Sequence, residues 1–189
     1  LLLAFSRGRW PENFSATIGV GSIALSFIVA VNVGFTLLKQ PTLEGVYVQS
    51  LWTWLSVGNF SPTVTLRLDG LSLTLLGVVS GVGFLIHLFA SWYMRGDEGY
   101  SRFFAYMNLF VASMLLLVLA DDLIILFFGW EGVGLCSYLL IGFYYRDPAN
   151  GAAAMKAFIV TRVGDILMLI GLFILFREFG TLHIQTVLQ

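Results

Sequence analysis

Five apolar runs, at 14–38, 71–94, 103–120, 123–145 and 151–176, dominate this chain, with charged residues gathered in the short stretches between them. At a helical rise of about 1.5 Å per residue, each run reaches across a hydrocarbon layer about 30 Å thick. A segment in lipid must satisfy its own backbone hydrogen bonds, so each run is expected to be a helix. The ten-residue alternation of a membrane β-barrel is absent. The fold class that follows is an all-α transmembrane helical bundle. It has five full spans plus a partial first helix at residues 1–5, and residues 1–189 form a single transmembrane domain. Glycines within the spans, Gly77, Gly81, Gly129, Gly132 and Gly134, are expected to let helices approach closely.

Composition agrees. Hydrophobic residues make up 58% of the chain and charged residues 11%, with a mean hydropathy of +0.89, whereas about a quarter of an ordinary soluble domain is charged. The net charge of -1, with no basic stripe, excludes nucleic acid as a partner. One cysteine, Cys136, and two histidines, His87 and His183, are too few to ligate an iron-sulfur cluster or a pair of haems. The chain is therefore expected to carry no cofactor of its own, and Cys136, inside an apolar run, is expected to pack as a small side chain. No basic n-region with a cleavage site precedes the charged stretch at 6–9, so residues 1–5 read as the last turn of a helix and the chain as an N-terminal fragment.

Lysines and arginines near span ends set orientation. Arg7, Arg9, Arg95, Arg102, Arg146 and Lys156 fall on one side; Lys39, Arg67 and Arg177 fall on the other. The first side is expected to be cytoplasmic. Trp10 and Trp92, at apolar edges on that side, suit the headgroup layer. The long connection at 39–68 then lies outside the cell membrane as a periplasmic loop. Alternation in its two halves around the turn-like 58–62 predicts an outer-face β-hairpin.

Three charges fall inside the membrane. Glu131 lies roughly 12 Å below the start of its span at the helical rise. Arg162 and Asp165, three residues apart on one helix face, lie near the middle of the next. A charge at this depth costs about 2.5–3.5 kcal/mol on insertion scales, so such residues face a bundle interior and serve an ion or proton path. For Glu131 the proton path is the favoured reading and a salt-bridged packing role the alternative. For Arg162 with Asp165, an architectural ion pair stands level with it. His87 can relay protons through a neutral imidazole, although a helix-to-helix hydrogen bond is the preferred reading. Lys156, at the cytoplasmic start of its helix, either snorkels to the surface or turns inward. Asp122, at a helix boundary on the outer side, is expected to cap the helix that follows.

The stretch 129–143, with Ala154-Met155-Lys156-Ala157-Phe158 and Arg162-Val163-Gly164-Asp165, resembles the antiporter-like subunit L family of bacterial NADH-quinone oxidoreductase, respiratory complex I. The likeness continues through 68–72, 91–96 and 100–104, and so covers essentially the whole chain. It implies a proton-translocating subunit of the membrane arm, multi-pass in the bacterial inner membrane, with neighbouring antiporter-like subunits, lipid and protons as partners. NADH, FMN, iron-sulfur clusters and quinone would be bound by other subunits. The family pairs a glutamate on the fifth helix, matched by Glu131, with a lysine on the seventh, beyond Gln189. Asp165 matches an acidic residue used near the same site. The proton-pathway set is thus Glu131, Asp165, Arg162, His87 and Lys156. Thr161 stands where relatives often carry asparagine. The large subunit of Mrp-type sodium/proton antiporters shares the bundle and the glutamate, though Cys136 and its flanks fit subunit L better. A non-catalytic membrane scaffold is the reading of a different class.

Overall fold

The computed structural model describes residues 2–5, 8–39, 46–56, 58 and 61–188. Its elements run α1 (Leu2–Phe5), α2 (Glu12–Lys39), β1 (Tyr47–Thr53), β2 (Thr63–Leu68), α3 (Gly70–Tyr93), α4 (Tyr100–Leu119), α5 (Leu123–Ile141), α6 (Pro148–Phe179) and α7 (Ile184–Val187). Among the described residues, helices α2 to α6 are the five long and apolar enough to cross a membrane.

Local chemistry sets the helix ends. Asp69 caps α3: its carboxylate accepts from Ser72 N at 2.8 Å while Ser72 Oγ accepts from Asp69 N at 2.7 Å, a reciprocal capping box. The Ser72 backbone bond holds the Asp69 carboxyl below its ordinary value. Asp122 caps α5 as expected, through Ile124 N at 2.8 Å. Asp147, followed by Pro148 in the first turn, starts α6 three residues before the expected run. Gly180, at φ +68°, ends α6 in the left-handed conformation. The span expected at 123–145 is shorter than its apolar run, because α5 stops at Ile141 and residues 142–146 form turns.

Helix α4 is the central post, packed against α1, α2, α3, α5 and β2. Phe104 on α4 is fully buried in a cluster with Leu3, Ala90, Met94, Tyr100 and Phe143. The tightest contact joins α4 to α5. A Cβ on Gly129 would stand 2.7 Å from the Leu117 backbone nitrogen, and one on Gly132 would strike Ser113. Gly81 lies similarly close to Phe27, at 3.0 Å, whereas Gly77 has no atom within 4 Å and contributes no close approach.

The hairpin forms where alternation placed it, antiparallel from Tyr47↔Leu68 to Thr53↔Thr63, with an irregularity between Ser50 and Trp52. Asn59 and Phe60 of its turn lie outside the described residues. β1 is exposed along its length, whereas β2 buries Val64 and Thr65 against the bundle. The α4–α5 corner is stitched from both sides. Asp121 N donates to Thr65 O at 3.1 Å, Leu123 N to Leu182 O at 3.0 Å, and Ile184 N to Asp121 O at 3.0 Å. Arg67 pairs with Asp121 at 3.7 Å in the same place. At the opposite end, Gly96 N meets Glu12 at 3.1 Å, Tyr144 meets Asp97 at 3.0 Å and Arg146 pairs with Glu98 at 2.6 Å. Arg95, Arg102 and Arg146 therefore share one end of the bundle and Arg67 and Arg177 the other; Arg7 lies outside the described residues.

Candidate functional site

The charges of α5 and α6 meet at one point. Arg162 reaches from α6 to α5, where its NH1 forms an ion pair with Glu131 Oε2, and the same nitrogen lies 3.5 Å from Asp165 Oδ2 one turn along α6. One guanidinium is thus shared by two carboxylates. Glu131 and Arg162 side chains are each 26% exposed, and Asp165 is buried. The Arg162 guanidinium also lies over the Phe158 ring, 4.3 Å from its centre, a cation–π contact that favours a planar, weakly hydrated ion. Its Nε is buried with no hydrogen-bond partner among the described residues.

Asp165 has a second donor. Trp130 Nε1 on α5 donates to Asp165 Oδ1 at 2.8 Å, so each oxygen of this carboxylate faces a different helix partner. Nothing in the sequence pointed to this bond. Trp130 adjoins Glu131 in sequence, and only the α5–α6 crossing brings its N–H to Asp165. The cluster opens on a cleft of about 620 Å³ between α4, α5 and α6, lined among others by Ser137, Tyr138, Thr161 and Gly164.

With both carboxylates ionised and one arginine, the three groups carry a formal charge of -1, and one added proton neutralises them. A buried unpaired charge is costly, and the two carboxylates are the places in the cluster that can hold such a proton. Arg162 is the cation that both carboxylates contact.

Two family models match the chain. One, the N-terminus of chain 5 of NADH-ubiquinone oxidoreductase (complex I), covers residues 54–104; the other, the NADH:quinone oxidoreductase/Mrp antiporter transmembrane family, covers 120–189. NADH-quinone oxidoreductase subunit L of Pseudomonas aeruginosa is 66% identical over 188 residues, 100% of this chain and 31% of that protein. The subunit L of Escherichia coli K12 is 63% identical over 189 residues, 100% of this chain and 30% of that protein. The chain belongs to the subunit L family. It spans about a third of the length of these relatives. A solved Mrp complex from Dietzia sp. DQ12-45-1b is similar in structure, with a TM-score of 0.70 and 25% identity over 93% of this chain and 20% of that one.

The other two residues singled out in this member of the subunit L family stand apart from the cluster. His87 on α3 is fully buried, and its Nδ1 meets Gly83 O at 2.7 Å. A carbonyl only accepts, so Nδ1 carries the proton. The bond expected between helices is therefore made within one. Nε2 is buried without a hydrogen-bond partner among the described residues, beside the Phe104 ring. Lys156 is exposed on α6 and makes no ion pair among the described residues. Cys136 is fully buried, as a packing residue should be. At the hairpin end of the bundle, Asp122 and His183 approach to 4.0 Å. Burial pushes the Asp122 carboxyl up, against the Ile124 N–H bond that pulls it down.

Proposed function

We propose that this chain is part of a proton-translocating membrane-arm subunit of a bacterial NADH:quinone oxidoreductase, and that its own share of the work is proton transfer through Glu131, Arg162 and Asp165. The observation that carries this reading is the single Arg162 guanidinium divided between two intramembrane carboxylates on neighbouring helices. Redox chemistry would be done elsewhere: NADH, FMN, iron-sulfur clusters and quinone would sit in other subunits, and the energy would reach this chain as a displacement of charges near Glu131. His87 and Lys156 would extend the path only through groups outside the cluster, since neither touches it. Other antiporter-like subunits would cover the open faces of α6, where Ile159, Val163, Ile166 and Ile170 are exposed.

A sodium/proton exchanger is the second reading, and the likeness to the Mrp complex favours it. Deleting the gene separates the two. Inverted membranes should lose NADH-driven proton uptake, which a matching plasmid restores. Intact NADH-driven uptake, together with lost sodium/proton exchange under an imposed pH gradient, would select the antiporter.

Orientation is tested independently. The two basic groups lie at opposite ends of the bundle, and the richer end is expected in the cytoplasm. A membrane-impermeant maleimide added to intact spheroplasts should label Ser61→Cys on the hairpin and leave Glu98→Cys unlabelled until the membrane is opened. The reverse pattern overturns this topology.

A further inference from the structure

Trp130 is a residue the relay reading does not require, yet it makes the shortest bond that Asp165 has. We infer that Trp130 is a positioning residue for proton transfer. Its indole N–H fixes the Asp165 carboxylate so that the other oxygen stays turned toward Arg162. The inference rests on the proposed relay and adds the group that keeps it aimed.

Indole Nε1 is a donor only, with one direction of donation fixed by a rigid ring. Held at 2.8 Å, it leaves Asp165 Oδ1 committed to α5 and directs Oδ2 at Arg162 NH1, 3.5 Å away. That spacing is long for a charge-assisted bond, for which about 2.7–2.9 Å is usual. Asp165 is thereby kept within reach of Arg162 but short of capturing it, and Arg162 remains paired with Glu131. Without the N–H, the Asp165 side chain is free to turn and close on Arg162, which sits on its own helix three residues away. Glu131 would then lose its counter-ion outside the transport cycle. Position in sequence strengthens the point: Trp130 and Glu131 are adjacent on α5, so one helix carries both the first carboxylate and the clamp on the second, and any shift of α5 moves the two together.

The test uses the assembled oxidoreductase in native membranes, with assembly checked by the amount of intact complex. Trp130→Phe removes the N–H. Benzothienylalanine at 130 removes it while keeping the bicyclic shape, so ring packing is preserved. Both are expected to lower NADH-driven proton uptake about tenfold, the size of one lost bond to a charged group. Asp165→Asn should lower it too, and Trp130→Phe added to Asp165→Asn should lower it no further. Wild-type uptake with benzothienylalanine at 130, or full additivity with Asp165→Asn, overturns the positioning role while leaving the relay standing. Glu131→Gln, measured alongside, separates the failures: wild-type uptake there overturns the relay itself, and the clamp with it.

Discussion

Replacing Glu131 with glutamine in the assembled complex is expected to lower NADH-driven proton uptake more than tenfold and to lower quinone reduction with it, at an unchanged amount of complex. Glutamine keeps the size and the hydrogen-bonding reach of glutamate, so a packing role survives the exchange. What it loses is the charge that holds Arg162 on α5. Asp165, one turn away and already facing the same NH1 at 3.5 Å, then takes the guanidinium. The exchange that needs two carboxylates and one cation is reduced to a fixed intrahelical pair. The size follows from the lost pairing: a hydrogen bond to a charged group is worth about 1.5–3 kcal/mol, and about 1.4 kcal/mol on a barrier is tenfold in rate. Glu131→Asp, which keeps the charge on a shorter stem, should retain part of the activity. Wild-type uptake and turnover in Glu131→Gln would leave Glu131 as a structural residue and remove the relay.

The parts of this molecule that were legible in its sequence are those set by periodicity and by cost. Five apolar runs can only be spans, alternation on either side of a turn gives the hairpin, and charges at mid-membrane depth stand out because burial penalises them. The three-residue spacing of Arg162 and Asp165 placed them on one helix face correctly. Three features were not legible, for one physical reason. Arg162 pairs across to α5 as well as along its own helix, Trp130 donates to Asp165, and His87 bonds back to Gly83 instead of to another helix. Each depends on which way a side chain points, across to a neighbouring helix or back along its own, and spacing along one chain does not carry that. Helix ends diverged in the same way. The apolar run continues past Ile141, but the turns at 142–146 end α5, while the Asp147–Pro148 start extends α6 backward.

The α4–α5 contact that holds Glu131 in place should be the most sensitive packing in the chain, and glycine substitutions should rank accordingly. A Cβ at Gly129 meets backbone atoms of Leu117 at 2.7 and 2.8 Å, which no rotamer change relieves, so the helices themselves must separate. Overpacking of this kind costs about 1–3 kcal/mol or more, and in lipid little else replaces the lost van der Waals contact. Gly132 faces Ser113, whose Oγ can rotate away although its Cβ, 2.9 Å from the added carbon, cannot, so alanine there should cost less than at Gly129 but still destabilise. Gly77 faces nothing within 4 Å, and alanine there should be neutral or slightly stabilising because it favours the helix. Thermal inactivation of the detergent-solubilised complex reads the series, with Gly129→Ala lowest, Gly132→Ala between and Gly77→Ala at or above wild type. Because Gly129 precedes Glu131 by two residues on α5, Gly129→Ala should also reduce proton uptake per complex that survives, since pushing α5 off α4 carries Glu131 with it. Equal stability for Gly129→Ala and Gly77→Ala would mean that the close α4–α5 approach does not hold the site.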